Sequence, residues 1–312
     1  MNSNSHILIT GADGFVGRSL SRSLLLTGAK VSNIVRSRAL GERKDETYVV
    51  ADLACREEVL SIFSLLRPNY VVHLAGSKSR VDSFAHYKDV LSSNLSISLN
   101  VIEACQDISS FKRLVFLGSC DEYGEQAEPF DESQRELPSS GYGLSKLMVT
   151  RLLSCLYRSR LFPSVVLRPS VIYGPGQGRE MFLSAFIHTL LNQQYFAMTL
   201  GGQLRDFIYI DDVIEAIIRA IYADERINGA VLNIAAGLPI QLKKVAIMAA
   251  AMIHPDSHQY IGFGAKKYRP NEVMNYAVNI TRAARLVEWR PSTTLEQGLL
   301  NTIDQYRNSV GE

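Results

Sequence analysis

The chain has 312 residues, 46% of them apolar, with 33 basic against 31 acidic side chains and a mean hydropathy of +0.02. That length is enough for one large core or two unequal lobes, and the composition is that of an ordinary globular protein. The balanced charge and the lack of a basic block exclude nucleic acid as an expected partner. The longest apolar run, residues 245–253, is too short to span a bilayer, so no membrane association is expected. The first five residues are polar and carry no secretory signal pattern, and the four cysteines show no C-x-x-C spacing and no clustering with histidines. The expectations are a cytoplasmic protein, no disulfide and no metal site.

The first element is a short apolar run, His6-Ile7-Leu8-Ile9-Thr10, that leads directly into Gly11-Ala12-Asp13-Gly14-Phe15-Val16-Gly17. Leu20, Leu24 and Leu25 continue from Phe15 and Val16 at helical spacing. A strand, a G-x-x-G-x-x-G turn and a helix bring backbone N–H groups and a positive helix end to a pyrophosphate. Gly11 permits the tight turn, Gly14 lets the phosphates approach, and Gly17 lets helix and strand pack closely. Further strands are expected at 30–35, 47–51, 69–74, 112–118, 163–167 and 231–235. Helices are expected at 14–26, 56–66, 90–104 and 143–158. This alternation predicts an α/β fold, a Rossmann-type doubly wound parallel sheet that binds ligands at the carboxyl ends of its strands. After Arg168 the rhythm fails, which predicts a smaller, interleaved α/β substrate lobe. The expected division is 1–168 with 205–237 for the dinucleotide lobe, and 169–204 with 238–312 for the substrate lobe.

Several strand ends carry chemistry. The second strand ends Ile34-Val35-Arg36. An acid at this place accepts both ribose hydroxyls of NAD, whereas Arg36 can pair with a 2′-phosphate, so NADP(H) is the expected cofactor. Asp52, before Leu53, can accept from an adenine amino group or cap the helix near Arg56. His73-Leu74-Ala75-Gly76 supplies small residues for close passage of a cofactor, with His73 read as a packed strand residue. Tyr142-Gly143-Leu144-Ser145-Lys146 places phenol and ammonium four residues apart on one helical face. An ammonium favours phenolate, so Tyr142 can exchange a proton with a carbinol or ketone. Ser119, in Gly118-Ser119-Cys120-Asp121-Glu122-Tyr123-Gly124, can hydrogen-bond the same oxygen.

Together these motifs resemble the extended short-chain dehydrogenase/reductase family of nucleotide-sugar epimerases, dehydratases and reductases. The resemblance covers nearly the whole chain. It includes Arg168-Pro169 with Tyr173-Gly174-Pro175, and Arg205-Asp206-Phe207 with Asp211-Asp212-Val213, in family order. It implies Ser119, Tyr142 and Lys146 as the catalytic set, with Tyr142 and Lys146 also against the cofactor. It further implies Gly11, Gly14, Phe15, Val16, Gly17, Asp52, Leu53, Ala75 and Arg168 as cofactor-binding positions. Dehydratases in the family carry an acid and a glutamate where this chain has Cys120 and Asp121. Fucose-type epimerase-reductases pair a loop cysteine with a histidine, for which only His188 is available here. The branch most similar in its loop and in Arg269-Pro270-Asn271-Glu272-Val273 reduces GDP-4-keto-6-deoxymannose. That likeness implies NADPH-dependent reduction of a nucleotide-linked 4-keto-6-deoxy sugar, with Arg205 and Arg269 on the diphosphate and Glu272 on the nucleotide ribose. Cys120 and Asp121 would line the sugar. The alternatives are an epimerase or dehydratase on the same scaffold, or a non-catalytic NADP-sensing protein. Family members often dimerise through two helices, which implies a homodimer through residues 90–104 and 143–158.

Overall fold

The computed structural model describes residues 5–37, 47–77, 83–269 and 272–310. Six strands and four helices alternate through its first half. They are β1 (His6–Thr10), α1 (Phe15–Leu26), β2 (Lys30–Val35), β3 (Thr47–Val50), α2 (Arg56–Leu66), β4 (Tyr70–His73), α3 (Phe84–Gln106), β5 (Arg113–Leu117), α4 (Gly141–Arg160) and β6 (Ser164–Pro169). The second half contains β7 (Val171–Tyr173), α5 (Phe182–Leu191), β8 (Phe196–Met198), β9 (Leu204–Arg205), β10 (Phe207–Tyr209), α6 (Ile210–Tyr222) and β11 (Val231–Ile234). It continues with β12 (Ile240–Gln241), α7 (Leu242–Ile253), β13 (Ile261–Phe263), α8 (Thr281–Leu286) and α9 (Leu295–Val310).

Seven strands form one parallel sheet in the order β11-β6-β5-β4-β1-β2-β3. Its central strands are buried on both faces, which is why they read as continuous apolar runs. Side chains alternate between two cores. Ile7, Ile9, Val72, Val115 and Val165 pack with α1 and α6, whereas Leu8, Val71, Leu114, Phe116 and Val166 pack with α2, α3 and α4. The fold is the expected doubly wound one, and β1 lies between β2 and β4. The chain therefore leaves β1 and β4 in opposite directions, opening a crevice over Gly11 and Ala75.

Helices α3 and α4 are longer than their apolar periodicity shows, because serines start them. Ser83 accepts from the His86 N–H and Ser140 from the Gly143 N–H. The smaller lobe is built from three two-stranded pairs, β10 with β7, β12 with β9 and β13 with β8. β11 joins the main sheet, but Leu204–Arg205 pairs with Ile240–Gln241 instead of opening a return to it. Trp289 is a fully buried anchor whose indole N–H donates to the Asp212 carbonyl. The Asp212 carboxylate takes Ser292 and Thr293, tying the C-terminal segment to α6. Among the described residues no helix is long and apolar enough to cross a membrane.

One buried cation holds the end of α6. The Arg113 guanidinium donates to the carbonyls of Ala220, Ala223 and Asp224, each at 2.9 Å, and to Asn228 Oδ1 at 2.7 Å. Arg113→Met leaves these acceptors without a donor. The expected result is a loss of roughly 3 kcal/mol or more in unfolding free energy, read from urea titration.

Candidate active site

The glycine turn after β1 is shaped by sterics. Gly11 has φ +68°, and a Cβ there would lie 2.7 Å from the Ala75 nitrogen, so the ends of β1 and β4 touch only because it has no side chain. A Cβ at Gly17 would lie 2.4 Å from the Gly11 carbonyl oxygen. Gly14 caps α1 with no side-chain bond, and the first turn has no acidic residue, so the N–H groups of this helix end are left for an anion. Phe15 and Val16 occupy its first two positions, half-buried. This cradle fits the pyrophosphate of a dinucleotide.

At the neighbouring strand ends Val35 is buried and Arg36 exposed, so among the described residues no carboxylate stands at the end of β2. Asp52 is exposed, and its Oδ1 accepts from the Ala54 N–H at 2.9 Å. The α2 cap position is Cys55, so Asp52 stiffens the turn before the helix and does not cap it. Leu53 is buried, with its carbonyl held by Asn100. Ala75 donates its N–H to Thr10 Oγ1. Thr10 and Ser98 bracket the buried His73 ring, a packed residue as expected.

The expected catalytic residues come together where β5 meets α4. Lys146 Nζ donates to the Leu117 carbonyl at 2.8 Å and lies 6.0 Å from the centroid of the Tyr142 ring. The loop carrying Ser119 is locked onto the start of α4, since a Cβ at Gly143 would meet the Asp121 carbonyl oxygen at 2.5 Å. Ser119 Oγ accepts from the Asp121 N–H at 3.1 Å, which fixes the hydroxyl oxygen over a short helical turn, Cys120–Glu122. Burial lowers the Lys146 ammonium to about 8, opposed by the Glu122 carboxylate.

On the side of the smaller lobe, Asp121 Oδ1 accepts from the Tyr276 hydroxyl at 3.3 Å, and the Arg205 guanidinium lies 5.8 Å from the Tyr276 ring centroid. Arg205 pairs with Glu272 and donates to the Val273 carbonyl. The two roles expected separately for Arg205 and Glu272 are thus joined in one ion pair. Arg269 is exposed and precedes it, with its carbonyl taken by the Glu272 N–H; Pro270 and Asn271 lie outside the described residues.

Two expected positions are corrected. Cys120 is completely buried, its thiol donating to the Arg168 carbonyl at 3.2 Å, and burial pushes that thiol well up; it lines no sugar site. Arg168 is also completely buried. Its guanidinium bonds Glu122 and Glu136 and lies 4.7 Å from the Tyr123 ring centroid, so it is committed to the interior and does not reach a cofactor. Arg168 lies near the carboxyl end of β6 and Cys120 in the helical turn after β5, and both side chains turn inward.

Sequence reading passed over Asn94. Its amide accepts from the Ser77 N–H at 2.7 Å and donates to Ser145 Oγ at 2.9 Å, bracing the loop after β4 against α4. A polar residue amid the apolar spacing of α3 was the available signal. The buried Glu122–Arg168–Glu136 chain left no such signal, because its members are far apart in sequence.

A doubly wound sheet with a glycine cradle at its switch point, and Ser119, Tyr142 and Lys146 on the elements beside it, defines a Rossmann-type fold of the dinucleotide-binding class. The chain belongs to the NAD dependent epimerase/dehydratase family, whose model matches residues 7–235. It is 26% identical to dTDP-glucose 4,6-dehydratase of Neisseria gonorrhoeae, over 96% of this chain and 95% of that one. Its fold matches UDP-glucose 4-epimerase of Thermotoga maritima, solved with UDP-glucose, at a TM-score of 0.89 and 25% identity, covering 98% and 99% of the two chains. It also matches MoeE5, solved with UDP-glucuronic acid and NAD, at a TM-score of 0.85 and 26% identity, covering 97% and 99%.

Proposed function

We propose that this protein interconverts sugars linked to a nucleoside diphosphate by oxidation and reduction at one ring carbon, as a 4-epimerase does. The observation that carries this is Lys146, bonded at the end of β5 beside Tyr142 and the capped Ser119. The relatives supply the substrate class, nucleotide sugars, and a nicotinamide cofactor. Gly11, Gly14, Phe15, Val16 and Gly17 would hold that cofactor's pyrophosphate, and Lys146 its nicotinamide ribose. When bound it supplies a hydride acceptor and donor. Tyr142 takes the proton from the sugar hydroxyl as that carbon is oxidised, and returns it on reduction. Lys146 favours the phenolate by its charge, and Ser119 hydrogen-bonds the same oxygen. The diphosphate would displace Glu272 from Arg205, whose fork suits phosphate oxygens.

Dehydration is disfavoured, because the position of the family's acid is the sealed thiol of Cys120. A mechanism that moves protons at two carbons would draw on His188, but that ring lies 4.2 Å from Tyr306 within the substrate lobe. A second reading, NADPH-dependent reduction of a 4-keto-6-deoxy sugar, is favoured by one observation: Val35 and Arg36 stand where an NAD site needs an acid. A homodimer would use α3 and α4, which pack side by side and leave Leu99 exposed.

The test is incubation with a panel of UDP-, dTDP- and GDP-hexoses, and with their 4-keto-6-deoxy derivatives, with and without NADPH. Interconversion of hexoses at C4 without added reductant supports the epimerase. Stoichiometric NADPH oxidation by one keto sugar, with no hexose interconversion, overturns it in favour of the reductase. No turnover of any sugar sinks both.

A further inference from the structure

Glu122 is a buried carboxylate in the catalytic loop that the reaction above leaves without a task. It has no solvent exposure, and a carboxylate removed from water is destabilising unless it is paired. Its partners therefore define its role. Oε1 accepts the Ser119 N–H at 2.9 Å, and Oε2 lies 2.9 Å from Arg168 Nε and 2.8 Å from its Nη2. Gly118 makes the room, since a Cβ there would lie 2.4 Å from Oε1. Arg168 continues to Glu136, which pairs with Arg151 on α4. The same short stretch receives the other buried charge, because Lys146 Nζ donates to the Leu117 carbonyl. An anion and a cation thus converge on residues 117–119.

We propose that Glu122 is a positioning residue of this active site, which fixes the Ser119 amide and supplies the buried negative charge facing Lys146. The proposal rests on the reading of Ser119, Tyr142 and Lys146 given above. Around Lys146 the other groups are the Phe116 ring, the Tyr142 phenol on its own helix, and His73 on β4, which burial pushes down to about 3 and keeps neutral. Around Glu122 they are Arg168, Cys120 and Asp121. Burial raises the Glu122 carboxyl, while the Arg168 guanidinium and the Ser119 N–H oppose the rise. Burial drives Lys146 towards its neutral amine, and Glu122 opposes this. Without that carboxylate the ammonium is lost at lower pH, and Tyr142 loses the charge that favours its phenolate.

Glu122→Gln keeps the shape and removes the charge. Two readouts are made on the intact protein: the pH dependence of kcat, and titration of the Lys146 side chain by NMR in lysine-labelled protein. In the wild type Lys146 is expected to titrate near pH 8. In Glu122→Gln it is expected about one pH unit lower, with the alkaline limb of kcat moving by the same amount, kcat at pH 8 down about fivefold, and KM little changed. A folded Glu122→Gln protein in which Lys146 titrates as in the wild type overturns the proposal. Glu122→Asp retains the charge but withdraws it by one methylene, and serves if the Gln variant does not fold. Its Lys146 should titrate as in the wild type while kcat falls; unchanged kcat overturns the positioning role. If the wild type turns over no sugar, the proposed function fails, yet the Lys146 titration still decides whether Glu122 faces it.

Discussion

Tyr142→Phe is expected to lower turnover of the nucleotide-sugar substrate by roughly 10²–10⁴-fold. The phenol is the only group in the expected catalytic set that both gives and takes a proton at the reacting oxygen, whereas Ser119 Oγ is occupied as an acceptor by the Asp121 N–H. Phenylalanine keeps the ring beside Lys146, so Lys146 remains bonded to Leu117 and nicotinamide binding survives. Cofactor affinity by fluorescence titration should stay within about threefold, and the melting temperature within about 3 °C. A variant that retains more than about a tenth of wild-type turnover removes Tyr142 from the chemistry.

Acidification should destabilise the protein through His73. The ring is fully buried, and burial, aided by the Lys146 charge, pushes it down from 6.5 to about 3. Its hydrogen bonds fit only the neutral form. Ser98 donates its hydroxyl to the Asn94 carbonyl, so it must accept from His73 Nε2–H, which leaves Nδ1 to accept from the Thr10 hydroxyl. A base depressed in the folded state contributes stability that is fully present above pH 6.5 and is lost as pH falls towards 3, because only the unfolded chain takes up the proton there. Between pH 7.5 and 4.5 the loss from this one site is about 2–3 kcal/mol. His6, also depressed chiefly by burial, acts in the same direction. Urea unfolding across this range measures the slope. His73→Gln, which cannot charge, should flatten it by about that amount, and an equal slope in both proteins would rule out His73 as the source.

The positions of the glycine turn and of Tyr142 and Lys146 are legible in the chain itself. Their signals are local: a strand, a turn and a helix within twelve residues, or two groups one helical turn apart. Asp52 was legible as a strand-end residue, but not as the acceptor of the Ala54 N–H. Arg205 and Glu272 were recognised singly, and only the fold showed that they pair. The family resemblance implies Cys120 and Arg168 as site residues, and the fold turns both side chains inward.

By itself, the sequence determined the doubly wound sheet, because strands buried on both faces must be apolar throughout and helices must alternate with them. It also determined where the dinucleotide turn lies, because Gly11 and Gly17 stand where a Cβ would collide with backbone. Tertiary structure decided which way each polar side chain at a strand end points, and which distant charges neutralise one another. Glu122, Glu136 and Arg168 are unremarkable along the chain. They become a single buried network only when β5, the loop before α4 and β6 are brought side by side, because ionised groups withdrawn from water must find opposite charges wherever the fold places them.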